Sequence, residues 1–239
     1  MIAEEVMVKK VITIKGEDTL DTAQGLMVEN SIRHLPVVDG GKLVGILTES
    51  DIRGAFLSEI HLKSNTAPKL DPKGKSSNRN QKTLHVVSKL ALRGGVDPKT
   101  MKVKNHMTRD PVTVVPEINI EDAALLIYEN KIGCLPVVRN NKMVGIISIM
   151  DILGLFIDMM GILHSSSRID VVMGKDSKNF DAVSGIFNEH DINIISVGMS
   201  PFNKSKNKRV YLFRLDLCDT KPLVKAIEKA GFKVKSAIS

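Results

Sequence analysis

The run His34-Leu35-Pro36-Val37-Val38-Asp39-Gly40-Gly41-Lys42-Leu43-Val44-Gly45-Ile46-Leu47-Thr48-Glu49-Ser50-Asp51 decides the reading of this chain, because it occurs twice. At a spacing of 100 residues Leu35, Pro36, Val37, Val38, Lys42, Val44, Gly45, Ile46 and Asp51 return as Leu135, Pro136, Val137, Val138, Lys142, Val144, Gly145, Ile146 and Asp151. The first half of the run is apolar and β-branched, Gly40-Gly41 marks a turn, and the second half is apolar again, so the spacing predicts a two-stranded hairpin. Thr48 then opens a helix running towards Ile60.

Upstream, Val11-Ile12-Thr13-Ile14 reads as a short strand. Leu20, Ala23, Leu26 and Met27 follow helical spacing behind a cap at Asp18 or Thr19. The unit is therefore β-α-β-β-α. Met7, Thr13, Ala23 and Glu29-Asn30 also return, as Met107, Thr113, Ala123 and Glu129-Asn130, so a whole module is duplicated. Residues 1–62 form the first repeat and 105–164 the second.

Between them the segment 63–104 is basic, with eleven Lys and Arg against two Asp, which exceeds the formal charge of +7 on the whole chain. It reads as a loop with a short helix around Leu84, Val87, Leu90 and Ala91, and as a solvated connector or, alternatively, a surface for nucleic acid or another polyanion. Zero Trp and two Tyr argue against base stacking as a specialty.

From Ile169 a third pattern begins. Strand 169–173, helix 180–190, strand 193–199, strand 209–217, helix 221–230 and a strand from Phe232 give β-α-β-β-α-β, the ferredoxin-like order. The fold class expected is mixed α/β and α+β: two repeats forming one module, then a ferredoxin-like domain over 168–239. The stretch from Ile152 to Leu163 is apolar on nearly every side, so it is expected to be buried between modules or subunits.

The chemistry sits where each hairpin runs into its second helix. Gly45-Ile46-Leu47-Thr48-Glu49-Ser50-Asp51 and Gly145-Ile146-Ile147-Ser148-Ile149-Met150-Asp151 place a hydroxyl at the helix N-cap and a carboxylate one turn inside. The hydroxyl and the helix start favour a phosphate, and an ionised aspartate accepts both hydroxyls of a ribose. The alternative is a plain capping arrangement. Its recurrence behind the same strand favours binding.

With those residues in view, 1–60 and 105–163 resemble a tandem pair of CBS domains, whose signature Gly-hydrophobic-x-Ser/Thr-x-x-Asp after a hydrophobic-Pro-Val-Val strand is matched at both repeats. The resemblance implies a disc-like module with two clefts that takes AMP, ADP, ATP or S-adenosyl compounds. It assigns ribose to Asp51 and Asp151 and phosphate to Thr48 and Ser148. Adenine falls to Thr13, Ile14, Ile32 and Pro36 in one cleft and to Thr113, Val114, Ile132 and Pro136 in the other. Residues 168–239 resemble an ACT domain on topology and on Asp191-Ile192-Asn193-Ile194 and Lys229-Ala230-Gly231-Phe232. That family commonly has Gly in the loop before the first helix, where this chain has Asp176-Ser177-Lys178-Asn179. The order of domains is similar to that of acetoin-utilisation-type CBS-ACT proteins.

The repeats differ where ligand charge would be read. Arg33-His34 becomes Gly133-Cys134, and Glu49 becomes Ile149. Arg33 is either a phosphate donor or a solvated strand end, and His34 either a ligand group or a packed histidine. The expected function is a non-catalytic, cytoplasmic, homodimeric regulator of an unidentified target. It carries no catalytic cofactor and no metal, since the two cysteines, Cys134 and Cys218, show no metal-ligand spacing and no neighbouring base. Charges at Glu4, Glu5, Lys9 and Lys10 speak against a secretory leader, and no stretch is apolar enough for a membrane span.

Overall fold

The computed structural model describes residues 1–63, 97–174, 176–200 and 208–239. The helix expected around 84–91 and most of the loop expected at 203–208 lie outside these residues. Within them the chain divides into two compact units, Met1–Ile152 and Leu153–Ser239. The boundary falls inside a helix and not in the Ser165–Ser167 stretch between the domains anticipated at 105–164 and 168–239.

In the first unit, α1 (Ala3–Val6) precedes α2 (Leu20–Glu29), β1 (His34–Asp39), β2 (Lys42–Thr48) and α3 (Glu49–Lys63). The second repeat runs through a 3-10 turn (Val103–Asn105), β3 (Thr108–Arg109), α4 (Ile120–Asn130), β4 (Cys134–Arg139), β5 (Lys142–Ser148) and α5 (Ile149–Met159). The expected strands at 11–14 and 113–114 are reduced to single parallel bridges, Ile14 to Val37 and Val114 to Val137. Pro36 and Pro136 explain this arrangement in part. Each lacks an N–H but gives its carbonyl to the amide of Ile14 (3.0 Å) or Val114 (3.1 Å).

Both hairpins are antiparallel with identical register and a bulge at the second valine. Their turns need left-handed backbone at two consecutive residues, which Gly40-Gly41 (φ 54° and 79°) and Asn140-Asn141 (φ 52° and 61°) supply. Thr19 caps α2, its hydroxyl accepting from the amide of Thr22 (3.2 Å). The core of repeat 1 gathers Leu20, Ala23, Met27, Leu35, Val37, Leu47, Ile52 and Phe56. Burying each large side chain contributes roughly 1.5–3 kcal/mol.

The repeats are not self-contained. Met101 and Val103, at the end of the supposed linker, belong to the core of repeat 1, and Thr108–Arg109 pair with β2 at Gly45–Ile46. Reciprocally, Val8 pairs with Ile146 of β5, and the amides of Ala3 and Glu4 donate to the carbonyls of Ile118 and Pro116. Each repeat thus lends its leading segment to the other, which corrects the boundaries 1–62, 63–104 and 105–164. The physical reason lies in the glycines. A Cβ on Gly45 would stand 2.6 Å from Sδ of Met107, and one on Gly145 would overlap Sδ of Met7.

In the second unit β6 (Ser166–Gly174), α6 (Ser177–Glu189), β7 (Ile194–Met199), β8 (Lys208–Asp216), α7 (Thr220–Lys229) and β9 (Lys233–Ile238) follow in order. The sheet order is β7-β8-β6-β9, all antiparallel. This is the expected β-α-β-β-α-β topology. Asp176 and Asp219 cap the two helices, and Val183, Phe187, Leu223 and Ile227 pack with Ile169, Val171, Phe213 and Leu215. The helix expected over 152–163 ends at Met159, and none of its residues is buried within the single chain. Among the described residues no helix is long and apolar enough to cross a membrane.

Candidate nucleotide clefts

Each cleft is built where a hairpin strand becomes a helix. The hydroxyl of Thr48 donates to Oδ2 of Asp51 (2.8 Å), the Thr48 amide donates to the same oxygen (2.8 Å), and the Asp51 amide donates back to Oγ1 (3.2 Å). Ser148 and Asp151 repeat the arrangement at 2.7, 2.7 and 3.3 Å. The first helical amide is also taken: Glu49 donates to the Arg33 carbonyl and Ile149 to the Gly133 carbonyl, each at 3.0 Å. The helix starts are therefore largely self-capped, and a phosphate would compete with the aspartate for the hydroxyl. Oδ1 of each aspartate takes no hydrogen bond from a described residue.

The strand before each helix brings the remaining candidates together. Ile14 and Val114 lie on Pro36-Val37-Val38 and Pro136-Val137-Val138 through their backbone bonds, which carries the neighbouring Thr13 and Thr113 to the same edge. Ile32 and Ile132 are tied to the preceding helices by amides that donate to the carbonyls of Met27 (3.0 Å) and Ile127 (3.2 Å).

His34 and Arg33, adjacent in sequence, part company. His34 is largely buried and packs against Gly133 of the other repeat, where a Cβ would overlap its Nε2. Burial pushes the imidazole below its ordinary range, the neighbouring Arg33 charge pushes the same way, and Asp51 opposes them. Arg33 instead pairs with Glu49 (3.9 Å), which also meets Arg53 (3.9 Å). Glu49 and Asp51 lie about 200° apart around the helix, so the pairing draws the Arg33 side chain to the helix face away from Asp51. Its expected role as a phosphate donor has no support in this geometry. Cys134 is buried beside Asp151, and both effects push its thiol up to about 12. A thiol held protonated is not a nucleophile at neutral pH.

A CBS-domain family model matches residues 3–58 and 103–158. A CBS domain-containing protein of Dictyostelium discoideum is 30% identical over 162 residues, covering 67% of this chain and 94% of that protein. The chain belongs to the CBS-domain family. Its CBS pair is also 32% identical over 153 residues to inosine-5'-monophosphate dehydrogenase of Methanocaldococcus jannaschii, covering 63% of the chain and 23% of the enzyme. The chain spans under a quarter of the length of this and other enzymes that it matches. Among solved structures, that of AcuB from Vibrio cholerae, titled an acetoin utilization protein, matches with a TM-score of 0.47 and 26% identity over 68% of this chain and 94% of that one.

What sequence reasoning missed in the CBS pair is the partnership of Arg33, Glu49 and Arg53. The available signal was the i to i+4 spacing of Glu49 and Arg53 on a predicted helix. The basic segment proves less uniform than its composition: Lys102 and Lys104 turn their ammonium groups to the carbonyl and carboxylate of Glu17, each at 2.6 Å. Among the described residues no group of three His, Cys, Asp or Glu side chains is placed to hold a metal ion.

Proposed function

We propose that the CBS pair binds an adenosine-containing ligand, namely AMP, ADP, ATP or an S-adenosyl compound, in one or both clefts and acts as a non-catalytic regulator. Ribose hydroxyls would donate to Asp51 or Asp151, a phosphate would take the hydroxyl proton of Thr48 or Ser148, and adenine would lie along Thr13-Ile14 or Thr113-Val114. The observation that carries this reading is the duplicated pair Thr48–Asp51 and Ser148–Asp151, in which each carboxylate commits Oδ2 to the cap and keeps Oδ1 available. A cap alone would be served by any N-cap hydroxyl.

The chain acts as a homodimer in the cytoplasm. Ligand binding is passed to the β-α-β-β-α-β unit, which resembles an ACT domain, or to a partner. Such transmission requires that the ligand prefer one arrangement by a few kcal/mol. Equilibrium binding of adenine nucleotides and S-adenosylmethionine to wild type and to the Asp51→Ala, Asp151→Ala double variant tests the central point. The reading expects a loss of affinity of at least roughly tenfold, a single lost charged hydrogen bond being worth about 1.5–3 kcal/mol. Unchanged affinity in a folded variant rejects it.

A further inference from the structure

We propose that the groove between α4 and α5 in repeat 2 docks a second copy of this chain, repeat 2 against repeat 2 about a two-fold axis. This deepens the homodimer reading above by naming the surface.

The groove encloses about 560 Å³ and is walled by Ala124, Ile127, Tyr128, Ile132, Ile149 and Ile152. Its surroundings are unusually apolar for a solvated helix face: Tyr128 is 80% exposed, Leu125 54%, Ile149 53% and Met150 65%. The chain has no Trp and two Tyr, so one of its few large aromatic side chains lies in the open. Contiguous exposed apolar surface of this kind marks an interaction site, and tyrosine is enriched at such sites.

The duplication supplies an internal control. At the corresponding positions of repeat 1 stand Gly25, Val28, Glu49 and Ser50, and Glu49 is engaged with Arg33 and Arg53. The same fold therefore does not require large apolar side chains at these four positions. All four are larger in repeat 2, and the two polar ones have become apolar. An apolar face does not match the charged cluster of repeat 1, which disfavours a head-to-tail contact.

The rim points to a self-complementary partner. Glu129 and Lys131 border the groove with opposite charges. Across a two-fold axis Glu129 of each copy meets Lys131 of the other, and each protruding Tyr128 faces the partner's groove. A foreign partner would have no need of balanced charges on this rim.

Sedimentation equilibrium of the full chain tests the proposal without any ligand. Wild type is expected to be dimeric. Tyr128→Asp and Ile149→Asp are each expected to weaken the dimer by at least roughly tenfold, with folding checked by circular dichroism. Glu129→Lys and Lys131→Glu singly weaken it and together restore it, whereas Glu49→Ala on the repeat 1 face leaves it unchanged. A monomeric wild type overturns both the homodimer reading and this surface. A dimer that survives both aspartate substitutions overturns the surface alone and moves the interface elsewhere. Failure of the paired charge reversal to restore the dimer overturns the two-fold arrangement.

Discussion

The His34 imidazole rests on the α-carbon of Gly133, so that a side chain at 133 would overlap Nε2 and stand 2.7 Å from Cε1. The two residues are near-counterparts in the duplication, and their divergence is mutual: one repeat reaches across and the other makes room. Gly133→Ala is expected to destabilise the CBS pair by about 1–3 kcal/mol through overpacking. Adding His34→Ala should recover most of that loss. Urea unfolding of the two single variants and the double variant measures the coupling; purely additive effects would show that the ring is not the obstacle.

The same burial makes His34 a source of pH dependence. Its pKa is lowered in the folded state by burial first and by Arg33 second, against Asp51. An imidazole of lowered folded pKa favours the fold fully above its unfolded value of about 6.5. That contribution is lost as pH falls from there through the folded value. Urea midpoints of wild type and His34→Gln, compared from pH 8 to pH 5, should converge or cross on acidification, with wild type losing more. A constant difference across that range would contradict the assignment.

The exchanged segments predict a crossed response to truncation. Removing residues 1–8 takes Met7 from Gly145 and Val8 from Ile146. Hydrogen exchange should accelerate in Lys142–Ser148 and remain unchanged in Lys42–Thr48, although the deleted residues are closer in sequence to the latter. Acceleration confined to Lys42–Thr48 would mean that each repeat folds on its own leading segment.

Cys134, with its thiol pushed up to about 12 by burial and by Asp151, should resist iodoacetamide at pH 8 in the folded protein, whereas Cys218 is partly exposed. Mass spectrometry of labelled peptides should find Cys134 modified only after denaturation. Labelling of Cys134 under native conditions would show that the second cleft opens to solvent at that position.

The local chemistry of the clefts was legible because it depends on short spacings. A hydroxyl three residues before an aspartate at a strand-to-helix junction produces the reciprocal bonds of Thr48 with Asp51 whatever lies elsewhere. The second unit was legible for a related reason: alternating and helical apolar periods mark its six elements, and Asp176 and Asp219 announce its helices. Arg33 was not legible, because side-chain direction at a strand end is set by a partner, Glu49, that lies sixteen residues away and on another element. The short strands at Thr13-Ile14 and Thr113-Val114 failed for want of a neighbour offering more than one backbone pair.

Repetition along the chain established the duplicated hairpins, their turns and the paired cleft residues, since these follow from local backbone preference and from apolar patterning that repeats residue for residue. Only tertiary packing decided which leading segment closes which repeat. The two segments carry the same methionine, and the repeats the same receiving glycine, so nothing local distinguishes own from opposite partner. Packing alone likewise sent His34 inward to Gly133 and Arg33 outward to Glu49, because a strand turns successive side chains to opposite faces and only the fold determines what each face meets.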